Sequence, residues 1–215
     1  MTDDRKSGIA LIAGACGGIL TMAVHPVGAG SITADQAAHL MAASAAVHSL
    51  AIVSTLALFL GACGLFRRIA ADDRIAFAGI VTYGFAVVAT LIATGISGFV
   101  VPAMIRRMVQ DAPPAASQWR MLIFSIFQVN QAFARILAAA TAVAIVLWSV
   151  SALRKGGFGR KVAIYGCLAG LLVMLAVGSG QLRMDVRGMG GVVLLQTIWF
   201  IIVGAQLCRR TEPTA

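Results

Sequence analysis

Charged side chains are scarce in this chain. Asp, Glu, Lys and Arg make up 12% of its 215 residues, against about 25% in soluble domains, while hydrophobic residues make up 60%. A water-soluble fold needs more charge than this on its surface, so the composition excludes a soluble protein. Membrane segments of this length leave no room for a separate globular domain, and we interpret residues 1–215 as one transmembrane domain.

Acidic residues are absent from the apolar stretches: all eight lie in the termini or in predicted connections. Carriers coupled to protons or sodium ions usually place a carboxylate near the middle of the membrane, so this absence argues against such a carrier. The chain also lacks GxSxG, HExxH and P-loop motifs, and its four cysteines form no CxxC pair. We therefore predict a protein without enzymatic activity and without a cysteine-bound metal.

Long apolar stretches, in contrast, fill the sequence. About 20 apolar residues in a helix span the hydrocarbon core of a bilayer, and only a helix or a closed barrel satisfies every backbone group there. We predict an all-α polytopic membrane protein with six transmembrane helices arranged as three hairpins, with one long outer loop at 102–119 in which a short surface helix can form over 104–109. The predicted spans are 8–30, 38–66, 75–104, 121–153, 162–181 and 188–208.

The net charge of +9 does not form one basic stripe, which argues against nucleic acid as a partner. With the N-terminus inside, eleven Lys or Arg residues fall on the cytoplasmic side. The outer side then holds five: Arg106, Arg107, Arg120, Arg183 and Arg187. Cytoplasmic loops carry an excess of basic residues. We therefore predict that both termini are cytoplasmic, and the short loops favour a bacterial-type inner membrane, with the lipid bilayer as partner.

Polar residues enter the predicted spans on single helix faces, at 100° per residue. Such faces turn toward other helices, because lipid offers no hydrogen-bond partners. We expect the first four spans to surround a polar site in the outer half of the bundle, with the fifth and sixth as lipid-facing supports. The predicted ligand-binding residues are Thr21, His25, Ser44, His48, Thr94, Gln128, Gln131 and Arg135.

Three of these residues also have ordinary structural explanations. Arg135 costs about 2.5–3.5 kcal/mol at the centre of a membrane helix, and either an anionic ligand or snorkelling toward the outer surface offsets that cost. His25 fits a structural role at a helix end bent by Pro26, whereas His48 fits either role. A rise of about 1.5 Å per residue places His48 about two turns deeper than His25.

Three functions are compatible with this pattern. The first, which we predict, is binding or transport of a small amphipathic or anionic ligand. The second is a redox protein in which His25 and His48 hold haem b, or in which the site binds a quinone; the difference in depth disfavours haem. The third is a non-catalytic accessory subunit of a larger membrane complex, or a homo-oligomer, that uses small-residue helix faces as contacts.

Overall fold

The computed structural model describes residues 1–26, 33–70, 73–111 and 115–209. Within these ranges the protein is helical and contains no β-strand. A π-helical turn, Ile96–Val100, joins α3 to α4, so that Arg74–Gln110 is one continuous rod. The helices are α1 Asp3–Ala23, α2 Ala34–Ala70, α3 Arg74–Gly95, α4 Val101–Gln110, α5 Ala115–Lys155, α6 Arg160–Gly178 and α7 Val186–Arg209.

Six helical rods in the described ranges are long and apolar enough to cross a membrane. This confirms the prediction of an all-α, multi-pass membrane protein. The outer loop expected at 102–119 is shorter than predicted, because α4 and the start of α5 occupy most of its described part, and the short helix expected over 104–109 lies within α4. The first predicted span also ends early, at Ala23, and its positions 27–30 lie outside the described residues.

Helix α1 packs closely between α2 and α7, and glycines permit this approach. A Cβ atom at Gly14 would lie 2.6 Å from the carbonyl oxygen of Ser54 on α2. A Cβ atom at Gly8 would lie 2.5 Å from the carbonyl oxygen of Gly204 on α7. Small residues let membrane helices come this near, because dispersion contacts and hydrogen bonds replace the hydrophobic effect there. The last helix therefore returns beside the first.

The helices form a ring with one member outside it. In sequence order α1, α2, α3 and α5 follow one another around the ring, and α7 closes it between α5 and α1. Helix α6 packs on the outside of α5, where a Cβ atom at Gly170 would lie 2.8 Å from the carbonyl oxygen of Ala142. We call the end of the ring with the start of α1 and the end of α7 the terminal end, and the opposite end the histidine end.

An aromatic layer fills the ring toward the terminal end. It consists of Tyr83, Trp148, Phe158, Trp199 and Phe200, all buried. The indoles of Trp148 and Trp199 stack with centroids 6.1 Å apart, and Tyr83 lies 5.5 Å from Trp148. Such pairs contribute about 0.5–1.5 kcal/mol each beyond the burial of their area. The layer therefore closes the inside of the ring toward the terminal end.

The helices that are long enough to span a membrane differ in length by about a factor of two. Helix α6 has 19 residues and α5 has 41, which correspond to about 28 Å and about 61 Å at 1.5 Å per residue. The two are joined by a short connection at the terminal end. The additional length of α5 therefore lies at the histidine end, where α4 and the start of α2 accompany it.

Candidate functional site

A cavity of about 540 Å³ runs along the inside of the ring. Pro26 and Asp185 line it at the histidine end, and Tyr83 and Phe200 of the aromatic layer line its other end. Along α7 the lining extends from Val186 to Phe200, fourteen steps of about 1.5 Å, or about 21 Å in all. The cavity is thus a long space that ends at the aromatic layer, which we call its floor; we call its part at the histidine end the mouth.

Five threonines that line this cavity donate their hydroxyl protons within their own helices. The hydroxyls of Thr21, Thr55, Thr90, Thr94 and Thr197 each donate to the carbonyl four residues earlier in their own helix, at 2.7–2.9 Å. This local bonding satisfies a hydroxyl donor in apolar surroundings and leaves its lone pairs as acceptors. The wall of the cavity is therefore largely apolar, and the threonine hydroxyl oxygens are hydrogen-bond acceptors within it.

His25 and His48 meet in the wall near the mouth. Their ring centroids are 5.1 Å apart and the ring planes are inclined by 75°. The expectation that they differ in depth by two turns is wrong. Helix α1 ends at Ala23, so His25 is not on a helix and the rise per residue of a helix does not set its depth.

Hydrogen bonds to carbonyl groups assign the protonated nitrogen of both rings. His48 Nδ1 lies 2.8 Å from the carbonyl oxygen of Ser44, and His25 Nδ1 lies 3.2 Å from that of Pro26. Because a carbonyl oxygen only accepts, Nδ1 is the donor in each ring, and Nε2 of the neutral imidazole is then an acceptor. Both rings thus have one acceptor nitrogen left for a ligand.

The π-helical turn positions the residues behind His48. Pro102 has no N–H group, and the N–H of Val101 donates to Ile96, five residues earlier. The carbonyl of Ser97 therefore has neither of the intrahelical donors that helical and π-helical spacing would supply. The hydroxyl of Ser44 donates to it instead, at 3.0 Å. The proline accounts for the π turn, and the turn accounts for this bond between helices.

Gly98, in the same turn, allows His48 to pack against the π-helical backbone. A Cβ atom at Gly98 would lie 2.5 Å from the Cβ atom of His48, closer than real carbon atoms approach. π-helical turns are frequent at functional sites. Neither Ser97 nor Gly98 is among the predicted ligand-binding residues, although Gly98 lies on the same predicted inward face as Thr94, and Pro102 in an apolar stretch was an available signal for a local change in the helix.

Side-chain amides hold α5 against its neighbours around the cavity. Asn130 Nδ2 donates to Ser97 Oγ at 3.0 Å, and Gln196 Nε2 donates to the carbonyl of Ala138 at 2.9 Å. Asn130 Oδ1 is buried and accepts no hydrogen bond from any described residue. The α5–α7 side of the ring is thus closed by hydrogen bonds, and the mouth has a third unused acceptor.

The last helix lines the cavity extensively, with Met189, Val193, Gln196 and Thr197 among its contributions. The expectation that the sixth span is a lipid-facing support is therefore wrong. The close contact of α7 with α1 at Gly204 orients the cavity-lining face of α7 toward the inside of the ring. No sequence pattern predicts that contact. Helix α6, the fifth span, contributes no residue to the described lining.

The predicted site residues separate into two groups. Thr21, His25, His48, Thr94 and Gln131 line the cavity. Ser44 does not line it but supports His48 from behind, as described. The two remaining residues, Gln128 and Arg135, line a separate pocket of about 280 Å³.

The smaller pocket is polar and lies beside the mouth. Arg183 also lines it, and Gln131 and Asp185 line both spaces. Arg135 is exposed and forms no ion pair or hydrogen bond with the residues that the structure describes. The N–H of Gly188 donates to Asp185 at 3.0 Å, which lowers the pKa of this carboxyl, and Arg183 lowers it further. Asp185 therefore carries a negative charge at the mouth.

The histidine pair does not fit haem. Two axial imidazoles approach the iron from opposite faces of the porphyrin, so the macrocycle must lie between them. Rings in edge-to-face contact at 5.1 Å leave no space for it. Across the described ranges, no group of three or more His, Cys, Asp or Glu side chains is arranged to hold a metal ion.

Comparison with protein-family models, with curated proteins and with solved structures finds no match for this chain.

Proposed function

We propose that this multi-pass membrane protein binds an amphipathic molecule with one long apolar part in the cavity of the ring. The observation that carries the proposal is the shape of the cavity: about 540 Å³, within the range of about 300–1,000 Å³ typical of small-molecule sites, and about 21 Å long. The apolar part lies along the threonine-lined wall. The polar end lies at the mouth beside His25 and His48.

Hydrophobic burial supplies the affinity in this proposal. Each 100 Å² of apolar ligand surface transferred from water contributes about 2.5 kcal/mol, from which the cost of immobilising a flexible chain is subtracted. The polar groups at the mouth contribute orientation more than affinity, because they exchange hydrogen bonds with water for hydrogen bonds with the protein.

The aromatic layer favours binding over passage across the membrane. Trp148 and Trp199 are fully buried behind Tyr83 and Phe200, and their side chains would have to separate before a molecule left at the terminal end. The proposed role is therefore to take up and release a molecule at the histidine end.

The distribution of basic residues supports an inner-membrane location with both termini in the cytoplasm. The histidine end would then face outward. The test uses a cysteine-free background with Asp3→Cys at the terminal end or Gln118→Cys at the histidine end. A membrane-impermeant maleimide applied to intact spheroplasts should label Gln118→Cys and leave Asp3→Cys unlabelled. The opposite pattern would reverse the orientation.

Filling the cavity tests the proposed binding. Thr90 lines the cavity from the last third of α3, so Thr90→Phe should occupy the space of the ligand. Val88 on the same helix is 55% exposed on the outer surface, and Val88→Phe is the matched control. Mass spectrometry of molecules extracted from each purified protein is the measurement.

A copurified apolar molecule should be present at a fixed ratio in the natural protein and in Val88→Phe, and strongly reduced in Thr90→Phe. Equal amounts in both variants would mean that the molecule is annular lipid or detergent on the outer surface. Such a result would remove the support for a ligand in the cavity.

A second candidate function, an accessory subunit of a membrane complex, is favoured by a separate observation. The start of α5, where it extends beyond α6, exposes large apolar side chains, including Met121 at 72% and Phe124 at 65%. A partner helix would cover them. Native mass spectrometry after mild solubilisation tests this function, and a stable protein that is monomeric and carries no partner would argue against it.

A further inference from the structure

We infer that the polar end of the bound molecule is a hydrogen-bond donor, a hydroxyl or a protonated amine, and not a carboxylate or a phosphate. This inference rests on the proposed function and names the chemical class of its ligand. It follows from the hydrogen-bonding groups that the mouth of the cavity leaves unused and from the position of the nearby charges.

The mouth has acceptors that the described residues leave unused. His25 and His48 both donate through Nδ1 to carbonyl oxygens, so each ring presents Nε2 as an acceptor. Asn130 donates through Nδ2 to Ser97 Oγ, and its buried Oδ1 accepts nothing from the described residues. A buried acceptor without a partner costs about 1–3 kcal/mol. Because Asn130 Oδ1 is closed off from the cavity, a ligand donor reaches it only if the side chain shifts. The Nε2 atoms of His25 and His48 are the acceptors directly available to a ligand donor.

Most side chains that could supply protons are engaged or lie deeper. Ser54 and Thr141 also line the cavity, about 9 Å along α2 from His48 and about 16 Å along α5 from Asn130. Five threonines of the wall donate to their own helices. The hydroxyl of Tyr83 belongs to the floor, fourteen residues along the helix from Ser97 at the mouth. The Ser97 hydroxyl is a donor, but one neutral donor does not offset the cost of taking a carboxylate out of water.

The charges also disfavour an anionic end. Lys and Arg are absent from the described lining of the cavity. Arg135 and Arg183 line the neighbouring pocket instead. The charged group that does line the mouth is Asp185, whose carboxylate is paired with Arg183 at 3.9 Å. An anionic end in the cavity would therefore be taken out of water with no cation in the same space.

Three probes that share one apolar chain test the inference on the unaltered protein. They are tritiated hexadecan-1-ol, hexadecan-1-amine and hexadecanoate, measured by equilibrium binding in one detergent at about pH 8.5, where the amine and the carboxylate are both charged. The alcohol or the amine should bind about tenfold more tightly than hexadecanoate, or better. If the amine binds more tightly than the alcohol, and Asp185→Asn removes this difference, the donor is an ammonium group. If the amine and the alcohol bind equally tightly, the site accepts either kind of donor.

The histidines provide a matched pair of variants. His25→Leu removes an acceptor from the mouth and keeps an apolar side chain, while His39→Leu alters an exposed histidine of α2 that does not line the cavity. The preference for the alcohol over hexadecanoate should shrink several-fold in His25→Leu and stay unchanged in His39→Leu.

Hexadecanoate that binds as tightly as the alcohol would overturn the inference and leave the proposed function standing. Weakening of that binding in Arg135→Ala would show that the polar end lies in the smaller pocket. A protein that binds none of the three probes would refute the proposed function itself. The comparison of probes needs no variant, so poor folding of a variant does not prevent a decision.

Discussion

Gly98 packs directly against His48, so a change at this position should alter both the packing of α2 against the π-helical turn and the position of His48 at the mouth. Replacing it by alanine places a Cβ atom 2.5 Å from His48 Cβ and 2.9 Å from His48 Cγ. Neither neighbour is the free end of a flexible side chain, so α2 and the π-helical turn must separate. We predict that Gly98→Ala destabilises the protein and displaces His48.

The magnitude can be assembled from three contributions. Overpacking of a well-packed core costs about 1–3 kcal/mol. Separation of the two elements weakens the hydrogen bond from Ser44 to the Ser97 carbonyl, worth about 1 kcal/mol, and alanine in a helix returns about 1 kcal/mol relative to glycine. The net loss is about 2 kcal/mol. At about 2–4 °C per kcal/mol for a chain of this size, Tm falls by about 4–8 °C.

Gly95 is the matched control for this substitution. It lies three residues earlier at the end of α3, and no atom lies within 4 Å of a Cβ built there. Gly95→Ala should therefore raise Tm by a few degrees through helix propensity alone. Thermal unfolding of the detergent-purified variants, followed by circular dichroism, is the assay. Similar Tm changes in the two variants would refute the argument that Gly98 is needed for close contact with His48.

Three further predictions concern the core, the terminal end and the ligand. Gln196→Leu should lower the stability by about 0.6 kcal/mol, typical of a hydrogen bond between membrane helices, and Tm in thermal unfolding by about 1–2 °C. The hydroxyl of Ser151 lowers the pKa of Asp73 below its usual 3.8, so this carboxylate stabilises the fold fully above that value and progressively less as the pH falls through its folded pKa. The Tm difference between the natural protein and Asp73→Asn should therefore shrink between about pH 5 and about pH 3; a constant difference would contradict this. Hexadecan-1-ol at 100 times its Kd should stabilise the protein by about 2.7 kcal/mol and leave the Tm of Thr90→Phe unchanged; an equal shift in Thr90→Phe would place the alcohol outside the cavity.

The membrane fold was predictable because one physical constraint dominates it. Uncharged stretches of sufficient length have few alternatives to spanning helices, and the stretches are unambiguous in this chain. The ends of the helices were less predictable. Pro102 and the polar residues of 102–119 predict a loop, but α4 packs on α2 and α5, and this packing stabilises helix where the local sequence does not favour it.

The candidate site was predictable in its residues more than in its geometry. Polar stripes correctly indicated that Thr21, His48 and Thr94 face inward, since lipid cannot satisfy them. The helical periodicity of polar residues, however, places all residues of one helix face in the same group. It cannot separate Gln131, which lines the cavity, from Arg135, which lines the pocket beside it. That separation depends on how α5 is rotated against α7, which is a property of packing.

The unequal lengths of α5 and α6 determine how a molecule would reach the mouth. A bilayer with a hydrocarbon core of about 30 Å matches α6 and leaves about half of α5 beyond its surface. His25 and Asp185, which stand at the ends of the short helices α1 and α7, then lie at the level of the lipid head groups. A ligand would enter from the leaflet, sideways along the projecting helices, without crossing bulk water. Its occupancy would follow its mole fraction in the membrane, and a sparingly soluble molecule would not need a soluble carrier to reach this site.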